Sequence, residues 1–129
     1  MKNRLILFKV LVLAMILNSC GDKEHPEIFI LSPAEGAHYS QGAWFNLTTE
    51  VKDDRGLYQV REYIGNEEGL QIDGFPGEGT LYNISGKKSG GTSSFNLPTD
   101  TSGTFWVHVE AIDDDGKVSR KQVKFFIDP

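Results

Sequence analysis

Residues 103–112 read Gly103-Thr104-Phe105-Trp106-Val107-His108-Val109-Glu110-Ala111-Ile112, and their alternation decides the fold. Successive side chains on a strand point to opposite faces. Phe105, Val107, Val109 and Ala111 therefore form one apolar face, and Trp106, His108, Glu110 and Ile112 form the other. The same period of two recurs on either side. Val123, Phe125 and Ile127 are the inward set of a C-terminal strand, and Phe45, Leu47, Thr49 and Val51 are that of an earlier one.

Working outward, seven candidate strands emerge: Glu27–Ser32, Ala43–Val51, Leu57–Ile64, Thr80–Ser85, Thr92–Leu97, Gly103–Ile112 and Val118–Ile127. Tight-turn residues separate them, with Gly36 after Pro33, Gly56 after Asp53 and Asp54, and Gly116 after three aspartates. No stretch between residue 26 and the C-terminus carries a 3.6-residue apolar period, which excludes a helical bundle. The expected fold is an all-β antiparallel sandwich. Gly65–Gly79 holds five glycines and Pro76 and is longer than an ordinary connection, the mark of a flexible or a functional loop. Gly86-Lys87-Lys88-Ser89-Gly90-Gly91 fails the spacing of a phosphate loop and no helix follows it, so it reads as a hairpin turn.

The N-terminus has a different character. Lys2, Arg4 and Lys9 precede an apolar run from Val10 to Leu17, the layout of a secretory signal peptide. A run of about eight residues is too short to cross a membrane, which takes about 20. Leu17-Asn18-Ser19-Cys20 resembles the lipobox of bacterial lipoproteins. That resemblance implies cleavage before Cys20 and a diacylglycerol on its thiol, so residues 1–19 are read as signal peptide, 20–26 as a lipidated tether and 27–129 as the domain. Asp22 and Glu24 in the tether resemble the export signal of Bacteroidetes-type surface lipoproteins. This implies an outer-membrane lipoprotein facing outward, with a periplasmic address as the alternative.

Cleavage leaves 10 basic against 18 acidic residues, a formal charge of −8, which argues against a nucleic-acid partner. Cys20 is the single cysteine, so the mature chain has no disulfide.

The opening Ile30-Leu31-Ser32-Pro33-Ala34-Glu35-Gly36, the Asp53-Asp54-Arg55-Gly56-Leu57 corner and the Leu97–Asp113 stretch together resemble the immunoglobulin-like domains of bacterial surface proteins. The likeness implies a sandwich of about seven strands over most of residues 26–128. The cysteine pair and the third-strand tryptophan of antibody-type domains are missing here. The motifs that match are structural, and fold alone does not name a function.

An enzyme needs a nucleophile with a base, a pair of acids in a cleft or an open metal site. His25, His38 and His108 are scattered and no Ser or Cys sits in an activating context, so no catalytic residue is expected. Two sets of residues stand out instead. In a seven-strand sandwich the second-to-third and sixth-to-seventh turns share one end, which brings Asp53 and Asp54 towards Asp113, Asp114 and Asp115. Five carboxylates at one corner suit either a structural calcium ion, which takes six to eight oxygens, or turns whose aspartates bond their own backbone. No other cofactor is expected.

The second set is the outward face of the third, sixth and seventh strands. With Val60 and Ile64 inward, Arg61 and Tyr63 point out beside Trp106, His108 and Phe126. Such a face binds a sugar ring or a protein, is covered by the 65–79 loop, or inverts if the register slips by one residue. Trp44, opposite in sense to Phe45, either flanks a loop or is buried on the first strand. The expected function is a non-catalytic binding or adhesion module on a lipid anchor, with a glycan or an envelope protein as partner. The alternative is a structural subunit or spacer of an envelope assembly.

Overall fold

The computed structural model describes residues 24–75 and 80–129; the expected signal peptide, Cys20 and residues 76–79 of the long loop lie outside the described residues. Six strands follow in order: β1 (Glu27–Ser32), β2 (Ala37–Ser40), β3 (Trp44–Gly65), β4 (Thr80–Asn96), β5 (Gly103–Asp113) and β6 (Val118–Asp128). No helix occurs among the described residues.

The expected second and third strands are two arms of β3, and the expected fourth and fifth are two arms of β4. These strands pair antiparallel from Trp44↔Asn96 to Glu62↔Thr80. Between Lys52↔Lys88 and Leu57↔Gly86, four residues of β3 face one residue of β4. The surplus bends the ribbon. Asp53 makes the bend, its Oδ2 accepting from the backbone N–H groups of Arg55 (3.0 Å) and Gly56 (2.8 Å). The corner expected at residues 53–57 thus lies inside a strand. Residues 86–91 are corrected from a hairpin turn to strand, with Gly90 opposite Glu50 and Gly91 opposite Thr49. Their small and charged side chains carry no apolar alternation, and the ladder with β3 holds them extended.

On its other edge β3 pairs with β1 along its first arm and with β5 along its second. β6 adds to β5, and β2 lies parallel on β6, from Ala37↔Phe125 to Ser40↔Asp128. β2 has no sequence signature because four residues show too little alternation, yet its Tyr39 packs 5.1 Å from Phe45. The bend curls this single sheet into a sandwich. Phe45, Leu47 and Val51 from the first arm meet Val60, Ile64, Phe105, Val107, Val109, Phe125 and Ile127 from the other layer, all buried. These are the faces the alternation assigned inward. Trp44 turns away from them and is 60% exposed.

The pairings also give the domain two ends. Glu27 opposite Lys52, and Leu57 opposite both Gly86 and Asp113, put the chain entry, the β3 corner and the β5–β6 turn at one end. The 65–75 loop and the β4–β5 connection lie at the other. The last residues of the expected tether already dock: Pro26 is buried and His25 Nδ1–H donates to the Val118 carbonyl (3.1 Å).

Candidate functional site

Register builds the outward face of β3, β5 and β6 in rows. Arg61, Glu110 and Arg120 align across the three strands, Tyr63 aligns with His108 and Gln122, and Trp106 lies between Gly65 and Lys124. Phe126 stands between Thr104 and His38. Val60 and Ile64 are buried, so Arg61 and Tyr63 lie on the opposite side of β3.

The rings do not form an open platform. Arg61 lies over the Tyr63 ring at 4.4 Å and the His108 ring stacks on it at 5.0 Å, 17° from parallel. Arg61 and His108 together crowd the Tyr63 ring. Phe126 carries the His38 ring at 4.5 Å, and His38 Nδ1–H donates to Asp128 (3.0 Å). Trp106 is half-buried.

The near part of the glycine-rich loop closes on this column. The Tyr63 hydroxyl donates to the Gly69 carbonyl (2.9 Å), and His108 Nε2–H donates to the Asn66 carbonyl (2.7 Å). Asn66 Oδ1 accepts from the Leu70 N–H (2.9 Å), and Gly69, at φ 89°, supplies the left-handed residue the turn requires. His108 is left 8% exposed. Beyond the loop a cleft of about 430 Å³ remains, walled by Glu68 and Gly69 on one side and by Glu110 and Arg120 on the other, with Tyr63, His108 and Gln122 between. Arg120 and Glu110 pair at 2.6 Å, so the cleft offers both signs of charge within hydrogen-bonding reach.

At the opposite end the structure brings the two acidic turns together. The Asp114 N–H donates to the Gly56 carbonyl (3.0 Å), and a side chain at Gly56 would strike the Asp114 carboxylate. Asp113 Oδ1 accepts from the N–H groups of Asp115 (2.9 Å) and Lys117 (2.8 Å), as Asp53 does for its own turn. Asp54, Asp114 and Asp115 are exposed, with Arg55 Nη1 3.8 Å from Asp115. Asp53 Oδ1 and Asp113 Oδ2 are buried without a hydrogen-bond partner. Among the described residues no group of three or more His, Cys, Asp or Glu is placed to hold a metal ion.

One acid escaped the sequence reading. Glu62 lies between Val60 and Ile64 in the inward set and accepts a hydrogen bond from the Thr49 hydroxyl. Burial pushes its carboxyl above the usual carboxylate range, and the Thr49 bond opposes this in part. The signal was present: once Val60 and Ile64 face the core, period two sends Glu62 there too. A slot of about 170 Å³ reaches it, bordered by Tyr82 and by residues 89–93 of β4.

No family model and no curated protein matches the chain. Solved structures do. The chain is similar to the fibronectin(III)-like modules of Clostridium thermocellum CbhA, with a TM-score of 0.52 at 15% identity over 78% of this chain and 94% of that one. It is also similar to the CARDB domain of PF1109 from Pyrococcus furiosus (TM-score 0.48, 16% identity, 81% and 99% covered). The PKD domain of an M14-like peptidase from a Thermoplasmatales archaeon matches at a TM-score of 0.46, with 19% identity and 81% and 94% covered. Over the described residues the chain has a single immunoglobulin-like β-sandwich fold.

Proposed function

We propose that the chain is a membrane-anchored lipoprotein whose immunoglobulin-like domain is a non-catalytic binding or adhesion module at the outer face of the bacterial outer membrane. The observation that carries this reading is the Tyr63–His108 cleft: about 430 Å³, on the outward face of β3, β5 and β6, bordered by a loop and by a charged pair. An anchor at Cys20 holds the chain-entry end to the lipid and leaves the side of the sandwich that carries the cleft exposed. The histidines support a non-catalytic role, His38 being held by Asp128 and Phe126 and His108 by Tyr63 and the loop carbonyl. The partner is a glycan or an envelope protein that meets the cleft through hydrogen bonds and its charge pair, the Tyr63 ring being crowded by Arg61 and His108.

Two measurements test this. Palmitate labelling of cells marks the wild type and not Cys20→Ala, which leaves the membrane fraction; labelling of both overturns the anchor. A glycan array and an envelope-protein crosslinking screen, run on wild type and on Arg120→Ala and Glu68→Ala, then show loss of the same ligand in both variants. An unchanged ligand profile removes the cleft from the site. A second reading, a structural subunit of an envelope assembly, is favoured by Leu31 and Trp44, 63% and 60% exposed on the other layer. Under that reading Trp44→Ala releases the chain from a large complex and the cleft variants do not.

A further inference from the structure

Glu62 is 9% exposed and faces the gap between the two arms of β3, where its one hydrogen bond comes from the Thr49 hydroxyl. Among the described residues none of the ion pairs involves it. A carboxylate withdrawn from water needs compensating donors or a cation, and this one has a single neutral donor. The slot of about 170 Å³ leads to it from β4, and its rim, Gly90, Gly91 and Thr92, is exposed.

The two glycines of the rim face opposite sides of β4. A Cβ on Gly90 would stand 2.7 Å from the Thr49 carbonyl oxygen, so β3 and β4 approach too closely there for any side chain. A Cβ on Gly91 would meet nothing within 4 Å. Gly91 pairs with Thr49, whose side chain reaches Glu62, so position 91 looks into the slot.

The geometry points to a subsite for a primary ammonium group on a slender stem, which enters past Gly91 and pairs with the Glu62 carboxylate. Ser89 and Ser93 border the slot on the same side of β4 as Gly91 and supply hydroxyl oxygens for the N–H bonds of the ammonium that Glu62 leaves over. Glu62 Oε1 already accepts from Thr49, which leaves one oxygen and favours a point-charge ammonium over the two-pronged fork of a guanidinium. A metal ion is disfavoured because among the described residues that line the slot no further acid or histidine joins Glu62. Ion pairing also relieves the burial that raises the Glu62 pKa.

The test is a titration of the isotope-labelled full chain with n-butylammonium chloride, followed through the amide resonances of residues 89–93. N-acetyl-lysine methylamide, run in parallel, separates a peptide lysine from a free amine. n-Butanol and tetramethylammonium control for charge and girth. A probe of so few atoms binds with a Kd on the order of millimolar. The controls bind at least about tenfold more weakly, the difference expected of one charged pair. Glu62→Gln abolishes saturable binding of both amines, and Gly91→Leu does the same while melting like the wild type. Should Glu62→Gln not fold, Gly91→Leu decides. The proposal is overturned by shifts of equal size with n-butanol, by no saturation, or by unchanged binding in Gly91→Leu.

Discussion

Asp113 and Glu62 are both carboxyl groups buried in one sandwich, and they are held in opposite ways. Asp113, 2% exposed, takes two backbone N–H groups on one oxygen and so shapes the β5–β6 turn. Glu62 takes one hydroxyl from the facing arm of the ribbon and shapes nothing in its own strand. Depth does not separate them; the donors do. Backbone donors at a turn are fixed by the chain and need a partner whether or not an acid is present, so an aspartate there solves a problem the fold already has. At Glu62 the fold holds an acid it does not need.

The first way to break this contrast is Asp113→Ala. It leaves the N–H groups of Asp115 and Lys117 without their acceptor, at a cost of about 2–3 kcal/mol, so that the thermal midpoint falls by about 10 °C. Asp113→Asn keeps an acceptor oxygen and recovers most of that loss. If Asp113→Ala melts like the wild type, the turn does not depend on the carboxylate. Asp53→Ala acts the same way at the β3 bend through Arg55 and Gly56, with a loss of about 1–2 kcal/mol.

Glu62→Gln is the opposite experiment. The Glu62 pKa is raised in the folded protein above its ordinary 4.5, so the folded chain binds more protons than the unfolded chain between the two values. The stabilising share of the protonated acid is complete below the unfolded value and is lost as pH rises through the folded one. Glutamine keeps the acceptor for Thr49 without the charge, so Glu62→Gln melts about 2–5 °C higher than the wild type at pH 7.5 and flattens the pH dependence above pH 4.5. A lower midpoint at pH 7.5 would show that the ionised acid is stabilising, and the contrast with Asp113 would fall.

How far these features could be read from the chain follows from the same physics. The inward faces of residues 45–51, 60–64, 105–111 and 123–127 were legible because alternation is written in apolar side chains. The continuity of β3 through Asp53–Gly56 was not. An aspartate pair before glycine marks a change of direction in a strand as readily as its end, and only the partner strand decides which. β4 was illegible for the same reason, its residues 86–91 being extended by pairing rather than by their own preference. At the face of Tyr63 and His108 the sequence placed the side chains on the correct side. Their sequestration depends on Asn66 and Gly69, whose carbonyls bond the two rings. Backbone groups of a loop leave no trace in a pattern of side chains.

The smallest expected effect concerns calcium, and it sharpens the comparison from the other side. Five aspartates at one corner invite a divalent ion, but the two buried ones each give one oxygen to two N–H donors of their own turns, and among the described residues no group of three or more acids is placed to hold a metal ion. A site occupied a hundredfold above its Kd adds about 2.7 kcal/mol to the stability of the folded state, a shift of about 10 °C or more for a domain of this size. Melting the full chain in chelator and then in millimolar calcium is therefore sensitive to any site tight enough to matter. The expected shift is below about 1 °C, the level of nonspecific screening of exposed Asp54, Asp114 and Asp115. A rise of several degrees, lost in Asp114→Asn, would mean that the unpartnered Oδ1 of Asp53 and Oδ2 of Asp113 face a common ion. The corner would then hold acids for a ligand, and Asp113 would stand beside Glu62 rather than against it.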